Sequence, residues 1–88
     1  MLEERLQEQI LAIMDEMALI QAYIYKENNL DRVAHANDDW FNQRNILRIL
    51  LSIQITDRVE RNIVLDYICE GIERKAWHDY VNAVETRG

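Results

Sequence analysis

Proline is absent from the 88 residues, and glycine occurs only at Gly71 and Gly88. Tight hairpins draw on glycine and proline at fixed positions, and phosphate-cradling loops need several glycines in a short run. An all-β fold and a glycine-rich nucleotide loop are therefore excluded. Cysteine occurs once, at Cys69, so no intrachain disulfide can form. Its apolar surroundings predict a small core residue in a reducing compartment. Histidine occurs at His35 and His78 only. Neither stands at ligand spacing from the other or from Cys69, and no Glu-x-x-His pair occurs, so neither a metal nor another cofactor is expected. No window approaches eighteen continuous apolar residues, and the opening Met-Leu-Glu-Glu-Arg is acidic and amphipathic. The expectation is a cytoplasmic protein with no membrane association.

Basic charge is also scarce. Sixteen acids against ten bases give a net charge of −6, which opposes nucleic-acid binding unless the bases gather on one face. Residues 1–39 carry nine acids and three bases, residues 40–63 two acids and four arginines, and residues 64–88 five acids and three bases. The local excess around Arg44, Arg48, Arg58 and Arg61 is small and is explained by pairing with neighbouring acids such as Asp57 and Glu60.

What the sequence has in quantity is helical periodicity. Leu6, Ile10, Ile13, Met17, Ile20 and Ile24 recur at spacings of 4, 3, 4, 3 and 4, which puts all six on one stripe of a helix over about 3–26. A second stripe, Leu11, Met14, Ala18, Ala22 and Tyr25, widens the apolar arc to roughly half the circumference. At 1.5 Å per residue this helix is about 36 Å long, whereas a compact globule of this chain length is roughly 30 Å across. An elongated bundle or a pairing between chains is expected in place of a sphere. Asn28 and Asn29 end the helix or cap the next.

Asn37-Asp38-Asp39 is a run of poor helix formers, and it predicts a break between a short helix at Leu30–Ala36 and a longer one at Asp39–Ile53. A single helix through it remains the alternative, because Val33, Ala36, Trp40, Leu47 and Leu51 then share a face. Asp57 with Glu60 has capping-box spacing, opening a third helix to about 86 with the stripe Leu65, Cys69, Ile72, Ala76, Tyr80 and Ala83. Gly71, inside it, predicts close approach of another helix or a bend. The fold class is all-α: one domain, residues 1–88, a bundle of three or four helices.

No nucleophile has an activating partner at a suggestive spacing, and Glu70 with Glu73 reads as a solvated pair. The leading expectation is a non-enzymatic interaction protein, a regulator, adaptor or inhibitor acting as a homodimer. The expected dimer interface is Leu6, Ile10, Ile13, Met17, Ile20 and Ile24, since a broad apolar arc left open is rarely tolerated by a monomer. Trp40, Phe41, Arg44 and Arg48 are the expected contact for a protein partner, because aromatic and arginine side chains dominate interface energetics. Two alternatives stay open. One is a small helical enzyme with an intersubunit site of arginines and carboxylates; the other is a nucleic-acid-binding regulator using Arg44, Arg48, Arg58 and Arg61.

Overall fold

The computed structural model describes residues 2–87. Three helices follow in chain order: α1 (Leu2–Lys26), α2 (Leu30–Gln54) and α3 (Arg58–Arg87), with no strand among the described residues. The connections, 27–29 and 55–57, are three residues each, so each helix folds back along its predecessor. α1 and α3 run parallel with α2 antiparallel to both, and Tyr25 near the end of α1 accordingly meets Trp77 and Tyr80 of α3. The bundle is elongated, 46 × 27 × 23 Å, as the helix lengths require. None of the described helices is long and apolar enough to cross a membrane.

The turns are built from local hydrogen bonds. Asn29 caps α2: its Oδ1 accepts from the backbone N–H of Asp31 at 3.0 Å and of Arg32 at 3.2 Å, an arrangement worth about 0.5–2 kcal/mol. No described residue has a left-handed φ, so α1 does not end in an asparagine C-cap. Instead the Glu27 carboxylate accepts from the backbone N–H of Asn28 and Asn29, at 3.1 and 3.0 Å, and from the Tyr23 hydroxyl at 3.0 Å. Those hydrogen bonds, from Asn29 first and then Tyr23, hold the Glu27 carboxyl below the ordinary carboxylate range, with Arg32 adding to them. At the second turn Asp57 Oδ1 accepts from the Val59 N–H at 3.2 Å, an N-cap bond to the second helical residue instead of the Glu60 N–H that a capping box uses.

The break expected at Asn37-Asp38-Asp39 does not occur, and the helix count is three. All three residues face solvent, while Ala36 and Trp40 on either side are buried. Side chains surrounded by water have little reason to compete for the backbone, and core contacts one turn apart hold the helix through them. Gly71 also departs from expectation. A methyl group placed there meets nothing within 4 Å, so the glycine admits no close helix.

Met17, Trp40, Leu47, Leu51, Leu65, Cys69 and Ile72 form the core, with Ile10, Ile13, Met14, Ala18, Ile20, Val64 and Ile68 packed against it. Most of the apolar arc of α1 is thus packed within its own chain against α2 and α3, while Leu11 of the second stripe stays 58% exposed. α3, at 30 residues, outruns its neighbours: residues 82–85 are exposed, including Ala83 of the expected stripe.

Two outcomes follow. Gly71→Ala should stabilise the chain by about 0.5–1 kcal/mol, raising the thermal midpoint by roughly 2–8 °C, because the added methyl costs no contact and removes backbone freedom from the unfolded chain. Glu27→Gln should lower the thermal midpoint at neutral pH. Since the folded carboxyl titrates below its unfolded value, its contribution is complete above the unfolded pKa and lost as pH falls through the folded one. The gap between Glu27→Gln and the parent should therefore close in acid, as thermal melts across a pH series would show.

Candidate functional site

The aromatic and arginine cluster of α2 lies along the cleft between α2 and α3, a space of about 460 Å³ lined by Trp40, Phe41, Arg44, Asp66, Cys69, Glu70 and Glu73. Trp40 belongs to the core and is only 7% exposed, while Phe41, the next residue, is 56% exposed. Their rings meet edge to face at 5.2 Å. The helix thus holds Phe41 as an apolar projection on a rigid base. Trp40 Nε1 is buried without a hydrogen-bond partner, an omission that typically costs about 1–3 kcal/mol.

Arg44 is clamped. Its Nη2 donates to Asp66 Oδ1 at 3.1 Å, with the arginine side chain 30% exposed. Its charge is matched by Asp66, and its stem covers the apolar wall. Arg48, one turn on, is exposed. Opposite, Glu70 and Glu73 continue the stripe begun by Asp66 at spacings of 4 and 3 and are exposed. The cleft is therefore acidic once the Arg44 to Asp66 pair is formed. Sequence reasoning placed the α2 half of this cleft and missed the α3 half. The signal was present: Asp66, Glu70 and Glu73 stand one position after Leu65, Cys69 and Ile72, so they edge the same buried stripe.

Cys69 closes the floor. Burial pushes its thiol above the ordinary value, more than the nearby Arg44 guanidinium lowers it, so at neutral pH it is a protonated packing residue.

The six residues expected at a dimer interface are buried or half-buried within the single chain. Leu6 and Met17 are buried, Ile10, Ile13 and Ile20 pack against the core, and Ile24 is half-buried. Arg58 is exposed, and Arg61 is half-buried with its Nε lacking a partner. His35 lines a groove of about 390 Å³ between α1 and α2, and His78 a separate one on α3 with Gly71, Arg74 and Lys75. Among the described residues no three His, Cys, Asp or Glu side chains gather to hold a metal ion.

Cys69 should react with a thiol reagent at neutral pH at least about tenfold more slowly than an exposed cysteine, and at the ordinary rate once the chain is denatured. A rapid native reaction would contradict its placement.

Comparison of the chain with protein-family models, with curated proteins and with solved structures returns no match.

Proposed function

We propose that this chain is a small non-enzymatic interaction protein, a regulator, adaptor or inhibitor that works as a homodimer and binds a protein partner in the cleft between α2 and α3. The observation that carries this reading is the pairing of a projecting aromatic with an acidic rim. Phe41 is half exposed on a buried tryptophan base, and across the cleft from it the α3 edge presents the exposed Glu70 and Glu73.

The partner suited to such a cleft is a protein segment carrying lysine or arginine. Its aliphatic stem can lie against Phe41, where a cation over an aromatic face gains about 0.5–1 kcal/mol at an exposed site. Its charged end reaches the carboxylates. Sequence alone pointed to the arginines as the charged contact. With Arg44 matched by Asp66, the reading moves to the carboxylates, and Arg48 stands at the edge of the contact. A reducing, cytoplasmic setting suits a chain whose single thiol is free.

The test is capture of partners by the immobilised chain, with two variants compared against the parent. Phe41→Ala should weaken capture roughly tenfold, the effect of losing one aromatic anchor. Glu70→Lys with Glu73→Lys should abolish it, and capture by the parent should decline with added salt. Both residues are exposed, so circular dichroism should remain unchanged. Equal capture by parent and both variants would overturn the assignment.

A further inference from the structure

The chain exposes 6744 Å² to water. A folded monomer of 10.5 kDa exposes about 5,400 Å². The excess, about 1,300 Å², is larger than the roughly 800 Å² that each partner contributes to a standard protein interface. Enough surface is therefore left open on one chain to build a contact with a second.

Its place is marked by α2. Ile46, Ile49 and Ile53 are 43, 57 and 58% exposed, and their spacings of 3 and 4 put them on one stripe. That stripe lies apart from the buried one of Ala36, Trp40, Leu47 and Leu51. Charge singles out the same segment. From Trp40 to Thr56 the sequence contains no aspartate or glutamate, in a chain whose net charge is −6. Two copies meeting along the outer side of α1, or along the Asp66 to Glu73 edge of α3, would press carboxylates together. Two copies meeting here would not.

We infer that a second copy of this chain packs on the isoleucine stripe, the two α2 helices antiparallel and the two-fold axis beside Ile49. Ile49 then meets Ile49 of the partner subunit, and Ile46 meets Ile53 of the partner subunit, the reciprocity an isologous contact requires. The remainder of the stripe selects this direction. Arg32, His35, Asp39 and Asn42 continue it toward the start of α2. A parallel pairing would set Asp39 against Asp39 of the partner subunit and Arg32 against Arg32 of the partner subunit. The antiparallel one carries these groups past the end of the neighbouring helix. The inference rests on the proposed homodimer and makes no use of the cleft between α2 and α3.

Light scattering at about 100 μM should give twice the 10.5 kDa chain mass, and Ile49→Asp should halve it with the helical circular dichroism retained. A monomeric parent overturns the homodimer and this contact together. A dimer that Ile49→Asp leaves intact overturns the contact alone. Cysteine substitution gives a second, independent measurement. Ile49→Cys should yield a reducible cross-linked dimer on mild oxidation. A mixture of Ile46→Cys and Ile53→Cys chains should cross-link where neither does alone. Cross-linking of Ile46→Cys with itself would overturn the antiparallel arrangement.

Discussion

Met17, Leu47 and Leu65, one from each helix, are essentially removed from water, and the remaining architecture depends on their sharing one core. Burying a side chain of this size stabilises the folded state by about 1.5–3 kcal/mol, and truncating it to alanine costs about 2–5 kcal/mol. The larger effect is geometric. Fixing one inward residue per helix fixes the rotation of each helix about its own axis. With rotation fixed, every other stripe is assigned to a seam, a groove or the open surface.

The exposed chemistry follows from that assignment. α2 turns Leu47 inward, which leaves Ile46 and Ile49 on one flank and Phe41 and Arg48 on the other. α3 turns Leu65 inward, which sets Asp66 against Arg44 across the seam at 3.1 Å. One constraint thus separates two surfaces of α2: an apolar flank at Ile46, Ile49 and Ile53, and the side where Phe41 meets the carboxylates of α3 across the cleft.

Much of this was legible in the sequence because heptad spacing reports which residues share a face. The stripe from Leu6 to Ile24 gave the inward face of α1, and that from Leu65 to Ala76 gave the inward face of α3. Spacing does not report what covers a face. The same stripe is the expected seam for a second chain, and in the fold its side chains are buried or half-buried against α2 and α3. Asn37-Asp38-Asp39 departs from expectation for a related reason: local preference marks a break, while the burial of Ala36 and Trp40 on either side is a property of the packed bundle. Gly71 carried no signal for the empty space beside it. The carboxylates of α3 became meaningful only when the seam set them across from Phe41.

The three-residue turns also bear on the order in which the chain acquires its structure. They join consecutive helices as hairpins with short connections, and helical bundles of this kind are associated with folding in microseconds to milliseconds. The seam between α1 and α3 joins the most distant parts of the chain; residues such as Tyr25 and Trp77 meet there. A hairpin of two helices can therefore form first and serve as the template on which the third condenses. With no proline in the chain, the slow imide isomerisation that delays many small proteins has no place in its refolding. The rate at which a nascent chain hides its apolar stripes is then set by the docking of α3.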